Sequence, residues 1–298
     1  MTTFSLSSGR RRGRLRRRRA MTAYLFLAFP VIFFGLLFFY PLIQELITGF
    51  YTGPQADRFV GFGNFSKAVG DPAVRHAFVT TVEYAVGVLI FSIVIGLLLA
   101  TILNQHIRGR AVFRGILLVP YLTSIAIVGL LWRNILDPQV GVLNRVLSSL
   151  HLPQQTWLDT HPLGTLVLIA VWQQIGYTTL LFVAGMQGIP ETYYEASRVD
   201  GASAWQRFRS VTLPLLVPTT LFVSVIGVIT SLQEFALPFL VTNGGPGAAT
   251  DLYVFRIYNV AFKFRDFGYS SALSYLMLLV ILVLSVIQLR IGRRDYGE

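Results

Sequence analysis

Residues 84–107 read YAVGVLIFSIVIGLLLATILNQHI and contain no Asp, Glu, Lys or Arg. An α-helix needs about 20 mostly apolar residues to cross the hydrocarbon core of a bilayer. The chain is 54% hydrophobic and only 13% charged, whereas soluble domains have about 25% charged residues. Five further uncharged stretches are long enough to span, and they cover residues 20–44, 115–132, 160–190, 210–233 and 267–289. The sequence therefore predicts an integral membrane protein.

The six stretches predict an all-α fold with six transmembrane helices. A seventh uncharged stretch, residues 235–250, contains Asn-Gly-Gly-Pro-Gly and is not expected to form a continuous helix, because Gly and Pro interrupt helices. The predicted helices cover about residues 24–47, 78–103, 112–132, 163–187, 215–235 and 270–289.

The distribution of charge predicts the orientation of these helices. If both termini are cytoplasmic, the segments on that side carry 17 basic and 5 acidic residues, and the rest of the chain carries 8 basic and 9 acidic residues. Cytoplasmic segments of membrane proteins are enriched in Lys and Arg. Both termini are therefore predicted to be cytoplasmic.

The arginine-rich N-terminal tail has eight arginines within residues 10–19. It resembles the basic part of a secretory signal, but the apolar run that follows is too long for a cleavable signal. The alternative functions are binding of nucleic acid or of acidic lipid headgroups. We interpret the tail as a topology determinant with no nucleic-acid partner. The predicted organisation is a tail at 1–22, a transmembrane domain at 23–290 and a short cytoplasmic tail at 291–298.

The polar stretch 188–214 reads GIPETYYEASRVDGASAWQRFRSVTLP. An early proline and glutamate favour a short helix over about residues 191–199. Gly201 supplies a turn, and Ser203 with Gln206 forms a capping box that begins a second helix. The closing Leu-Pro pair is expected to end that helix. The stretch thus predicts a cytoplasmic helix–turn–helix rather than a simple loop.

This stretch also carries a family motif, Glu195-Ala196-Ser197 followed by Asp200-Gly201. With the later Leu-Pro pair, the motif resembles the EAA loop of binding-protein-dependent ABC importer permeases. Ser197 stands where that family usually has a second alanine, and it is small enough to keep close packing. The resemblance implies that the first short helix is a coupling helix docking in a groove of an ATPase subunit. The implied ATPase-coupling residues are Glu195, Ala196, Asp200 and Gly201.

Two further segments narrow the resemblance. Residues 240–247, LVTNGGPG, and residues 61–65, GFGNF, are similar to outside segments of carbohydrate importer permeases of the maltose and glycerol-phosphate type. The resemblance implies a sugar substrate and location in the bacterial plasma (inner) membrane. The implied partners are a second homologous permease, two ATPase subunits that bind ATP and Mg, and an external substrate-binding protein. This chain would hold no cofactor.

The sequence contains no constellation that favours catalysis. A phosphate-binding loop needs Gly-Lys before Ser or Thr, and no Gly-Lys pair occurs. The absence of cysteine excludes disulfides and thiolate chemistry. The four histidines lack the spacing of metal ligands; they are His76, His106, His151 and His161. We predict neither a catalytic nor a metal site.

Polar residues within the predicted helices indicate a substrate path. Such residues are costly in hydrocarbon unless they face the bundle interior or water. They either line a path or join helices by hydrogen bonds, and the sequence leaves both possibilities open. The candidate path residues are Gln173, Gln174 and Tyr177 on the fourth predicted helix and Gln233 and Glu234 on the fifth.

The main alternative function is a secondary transporter for a small polar solute that works without an ATPase. Such a transporter would need ion-coupling carboxylates near the membrane midplane. Glu83 and Glu234 lie nearer the predicted outer ends of their helices, which argues against it. A membrane anchor with a nucleic-acid-binding tail is a further alternative. The sequence favours the permease subunit of an ABC sugar importer.

Overall fold

The computed structural model describes residues 21–22, 24–53, 57–105 and 108–294. Most of the two predicted tails, residues 1–20 and 295–298, lies outside the described residues. Two short strands, β1 (Tyr51–Thr52) and β2 (Arg58–Phe59), pair antiparallel. The helices are α1 Tyr24–Thr48, α2 Gly63–Gly70, α3 Pro72–Leu103, α4 Arg110–Leu122, α5 Ile125–Ile135, α6 Val142–Ser149, α7 Trp157–Thr160, α8 Pro162–Gln187, α9 Glu191–Val199, α10 Ala204–Leu215, α11 Val217–Leu232, α12 Tyr253–Tyr258 and α13 Phe267–Arg294. Single π-helical turns occur at Gly35–Phe39, Phe208–Thr212, Pro238–Thr242 and Asn259–Lys263.

Within the described part of the chain, four helices are each long and apolar enough to cross a membrane, namely α1, α3, α8 and α13. Two bent pairs, α4 with α5 and α10 with α11, pass the same test together. Counting each pair as one span gives six. The helical membrane fold predicted from the uncharged stretches is therefore confirmed.

The third predicted helix is not continuous. α4 and α5 meet at an angle of 93°, because Thr123 and Ser124 are extended, with ψ angles of 138° and 131°. Pro120 lies inside the last turn of α4, where it removes a backbone donor. The Thr123 hydroxyl donates to the Val119 carbonyl over 2.8 Å and satisfies part of the helix end. The prediction of a single helix over about 112–132 was wrong for this reason.

The fifth predicted helix, 215–235, also has different bounds. α10 continues through Pro214 to Leu215 and meets α11 at 62°, whereas the Leu-Pro pair was expected to end it. A π-helical turn precedes Pro214, and such turns adjust the backbone pairing that proline disturbs. α11 ends at Leu232, and Gln233 is its C-cap. Gln233 and Glu234 therefore lie beyond the helix that was predicted to carry them.

The core lies where α3 packs along α8 and α11. Small residues let the helices approach closely, as is common in membrane bundles. A Cβ atom on Gly96 of α3 would lie 2.7 Å from Cγ2 of Thr178 on α8. The fully buried side chains of this core include Tyr84, Val88, Leu166, Ile169 and Phe182.

A polar cluster fixes the N-terminal end of α3 to the start of α13. Asp71 accepts hydrogen bonds from the Ala73 backbone at 2.9 Å and from the Tyr269 hydroxyl at 2.8 Å. Lys67 lies 3.9 Å from the centre of the Tyr269 ring and 3.8 Å from Asp266. Burial alone raises the pKa of Asp71, but these hydrogen bonds outweigh it and hold the pKa below its ordinary value. The charged carboxylate thereby caps α3.

α1 stands apart from the rest of the structure along most of its length. Its apolar side chains are largely exposed, with Phe39 at 60%. Contacts occur near its C-terminal end, where Ser271 donates to Glu45 over 2.8 Å and the Tyr275 hydroxyl donates to the Leu42 carbonyl. An apolar helix exposed in this way is suited to contact with lipid or with another apolar protein surface.

Candidate functional site

A cavity of about 160 Å³ lies between α3, α4, α8 and α11. The break between α4 and α5 follows directly after the part of α4 that forms its wall. The other lining residues are aliphatic or glycine, and the polar ones are Ser92, Tyr121, Gln173, Gln174, Tyr177, Thr178 and Thr230. The cavity thus combines an apolar surface with a few hydrogen-bonding groups, as is typical of small-molecule sites.

α8 brings two pairs of polar residues to this cavity. Gln173 and Tyr177 share one helical face, and Gln174 and Thr178 share the next, because residues four apart align on a helix. Both pairs line the cavity, so the two faces together form its α8 wall.

Two tyrosines form an aromatic surface in the cavity. The rings of Tyr121 on α4 and Tyr177 on α8 stack with centroids 4.6 Å apart and planes 6° from parallel. Tyr121 was not among the residues predicted to line the path. The available signal was the Pro-Tyr pair at 120–121 next to Thr123, a polar interruption inside an uncharged stretch.

The two glutamine amides have free hydrogen-bonding capacity. Among the described residues, neither Gln173 nor Gln174 has a side-chain hydrogen-bond partner, and the Ser92 hydroxyl is buried without one. Both glutamine side chains are half-buried and line the cavity, so their amides are open to a solute or to water. This arrangement favours groups that serve a solute or water over groups that join helices.

Gln233 and Glu234 do not line the cavity. The Glu234 carboxylate accepts a hydrogen bond from the Leu237 backbone at 2.9 Å. It therefore stabilises the break between α11 and the following helical turn. The structure does not bring these two predicted path residues together with those of α8, because the helical spacing on which the prediction depended ends at Leu232.

The helix–turn–helix between α8 and α11 begins as the sequence predicted. α9 covers Glu191–Val199, and Gly201 follows with a positive φ of 73°. The Gly201 backbone donates to the Arg198 carbonyl at 3.1 Å. Ser203 and Gln206 form both hydrogen bonds of a capping box at the start of α10.

The surface of this motif is exposed and unpartnered. Glu195, Ala196 and Asp200 are exposed, and Glu195 forms no ion pair with any other described residue. Val199 is 88% exposed and Trp205 is 67% exposed, which is unusual for large apolar residues unless another surface covers them.

A separate contact holds the motif in place, since the Tyr194 hydroxyl of α9 lies 3.1 Å from the Thr212 hydroxyl of α10.

Known proteins resemble this chain over most of its length. The UgpA permease protein of the sn-glycerol-3-phosphate transport system of Agrobacterium fabrum is 33% identical over 281 residues, which cover 92% of this chain and 96% of that protein. The AraP permease protein of the arabinooligosaccharides transport system of Bacillus subtilis is 34% identical over 92% of this chain and 90% of its own. The MalF permease protein of the trehalose/maltose transport system of Thermococcus litoralis is 34% identical over 79% of this chain and 80% of that protein.

The fold has a close counterpart among solved structures. A chain in the crystal structure of a bacterial alginate ABC transporter, in complex with a periplasmic protein bound to an alginate pentasaccharide, matches with a TM-score of 0.80 at 25% identity. The match covers 93% of this chain and 96% of that chain. The resemblance drawn from the EAA-type motif and the glycine-rich segment is thus confirmed. Because the family pattern also matches residues 92–294, the chain belongs to the family of binding-protein-dependent transport system inner membrane components.

Proposed function

We propose that this chain transports a sugar as one permease subunit of an ABC importer, and that the cavity between α3, α4, α8 and α11 is part of its solute path. The cavity's lining carries the proposal: free amides on Gln173 and Gln174 lie beside the stacked rings of Tyr121 and Tyr177. Sugar hydroxyls both donate and accept hydrogen bonds, and the apolar face of a sugar ring packs on aromatic rings. The names of AraP and MalF support a carbohydrate substrate.

The proposed coupling to ATP involves α9 and the turn that follows it. Glu195, Ala196, Asp200 and Gly201 would contact an ATPase subunit, and their exposure supports this role. ATP and Mg would bind to two such ATPase partners, since this chain has no phosphate-binding loop. A second homologous permease would complete the path, and an external binding protein would deliver the sugar.

The proposed orientation has both termini in the cytoplasm of a bacterium. The excess of arginine on that side supports it. The limits of the transmembrane domain, 23–290, and of the two tails stay predictions. The family is one of inner membrane components that work with binding proteins, which favours the importer over a transporter acting without partners.

Replacing Gln173 by Leu, or Tyr177 by Ala, is expected to raise the half-saturation concentration for uptake. Each change removes a group that would contact the sugar, and the loss of one hydrogen bond is worth about 0.5 to 1.5 kcal/mol, or roughly 2- to 12-fold. The measurement is the concentration dependence of uptake by cells expressing the complete importer.

Leu168→Ala is the matched control, because Leu168 is on the same helix, is 55% exposed and does not line the cavity. It should transport like the unmodified protein. Wild-type half-saturation and maximal rate in both path variants would show that α8 does not contact the sugar.

A further inference from the structure

The cavity between α3, α4, α8 and α11 is polar but uncharged. Its lining contains no Asp, Glu, Lys, Arg or His among the residues that the structure describes. Its hydrogen-bonding groups are amides and hydroxyls, led by Gln173, Gln174 and Tyr177. A solute in this cavity would therefore meet dipoles and aromatic rings, with no opposite charge to compensate a charge of its own.

The sequence around the lining residues also contains no positively charged side chain that could face the cavity. Every lining residue falls within one of the uncharged stretches 84–107, 115–132, 160–190 and 210–233. The charged residues closest to the lining along the chain are Glu83 and Glu234, and both are acidic. The nearest basic residue on α4, Arg114, donates to the Leu103 carbonyl at 3.2 Å, where α3 ends.

An anion would be at a disadvantage in such a site. Transfer of a carboxylate or phosphate from water to a low-dielectric interior is costly unless a cation or several strong donors replace the lost hydration. An uncharged polyhydroxy compound loses hydration only at its hydroxyl groups, and the free amides can form hydrogen bonds with these groups.

We propose that this chain's path accepts uncharged polyhydroxy compounds and discriminates against phosphorylated or carboxylated solutes of similar size. The inference rests on the proposed function, since it takes the cavity as part of the path. Such a preference would distinguish this chain from UgpA, whose transport system is named for the phosphate ester sn-glycerol 3-phosphate. It would also distinguish this chain from the structurally similar transporter that imports the acidic polysaccharide alginate.

Thiol labelling of the complete importer tests the charge preference without knowledge of the natural solute. The chain has no cysteine, so a single introduced cysteine reports on one position, and mass spectrometry of this chain alone ignores cysteines of the partners. Thr230→Cys on α11 and Ser92→Cys on α3 place the thiol on two different walls of the cavity. Leu150→Cys, at a side chain that is 62% exposed after α6, is the control.

The probes are a neutral hydroxyethyl methanethiosulfonate and its negatively charged sulfonatoethyl counterpart. The ratio of their rates at Leu150→Cys corrects for their different reactivities. Relative to that control, the sulfonate should react at least about tenfold more slowly than the neutral reagent at both cavity positions, because the anion loses hydration there. Adding Gln174→Lys to Thr230→Cys should restore most of the sulfonate rate.

The outcomes separate the two proposals. If the neutral reagent modifies both cavity cysteines and the sulfonate reacts equally fast, the path stands and the charge discrimination is overturned. Another outcome is that Gln174→Lys leaves the slow sulfonate rate at Thr230→Cys unchanged while the neutral reagent reacts as before. The slow rate would then reflect the size of the sulfonate, and the charge discrimination would again be overturned. If neither reagent modifies either cavity cysteine while Leu150→Cys reacts, water does not reach the cavity and the proposed path itself fails.

Discussion

Alanine at position 176 is expected to destabilise the importer and to remove most of its uptake. Gly176 lies in α8 where α4 crosses it, and a Cβ atom there would collide with the backbone carbonyl of Leu117. Backbone atoms cannot rotate away as a side chain can, so the two helices must separate. Overpacking of this kind typically costs about 1 to 3 kcal/mol, and separation would also pull Tyr121 away from Tyr177.

Gly164→Ala is the matched control for Gly176→Ala. Gly164 lies in the same helix and has nothing within 4 Å of the position of its Cβ. Both changes raise helix propensity by about 1 kcal/mol, so only the collision differs between them. The thermal midpoint of the purified complex should fall by at least about 2 °C for Gly176→Ala and should not fall for Gly164→Ala. Equal midpoints and equal uptake would contradict the close crossing of α4 over α8.

Local patterns were sufficient for the features whose causes lie within a few residues. The capping box at Ser203 and Gln206 formed as predicted, because both of its hydrogen bonds join residues three apart. The turn at Gly201 also formed, since few other residues adopt its positive φ. The uncharged stretches predicted the long helices for a similar reason: the requirement for a length of apolar residues is local.

The bends could not be predicted in the same way. A proline inside an apolar stretch is tolerated in membrane helices when neighbouring groups satisfy the freed backbone atoms, so Pro120 alone does not indicate whether the helix continues. The stack of Tyr121 on Tyr177 is a contact between α4 and α8 that joins two residues more than fifty positions apart in the chain. The same limit applies to Gln233 and Glu234, which were predicted to lie on the fifth helix although that helix ends at Leu232.

Proline at position 201 is expected to uncouple ATP hydrolysis from transport while leaving the chain in the membrane. Gly201 has a φ of 73° and its N–H donates to the Arg198 carbonyl at 3.1 Å. Proline fixes φ near −65° and has no N–H, so the turn between α9 and α10 cannot form as it does here. α9 would then present Glu195 and Asp200 in a different orientation to the ATPase partner.

Gly188→Ala is the control for Gly201→Pro, because Gly188 lies in the same segment between α8 and α11 with an ordinary φ of −78° and only ordinary contacts around a Cβ atom. In the reconstituted complex, binding protein loaded with substrate should stimulate ATP hydrolysis normally for Gly188→Ala and at least about tenfold less for Gly201→Pro.

Glu195→Arg tests the same surface without changing the backbone. Its side chain is exposed and pairs with no described residue, so reversal of its charge should leave the fold intact and still weaken stimulation. Normal stimulation in both Gly201→Pro and Glu195→Arg would mean that the ATPase contacts another surface, and the exposed Trp205 on α10 would be the next position to test.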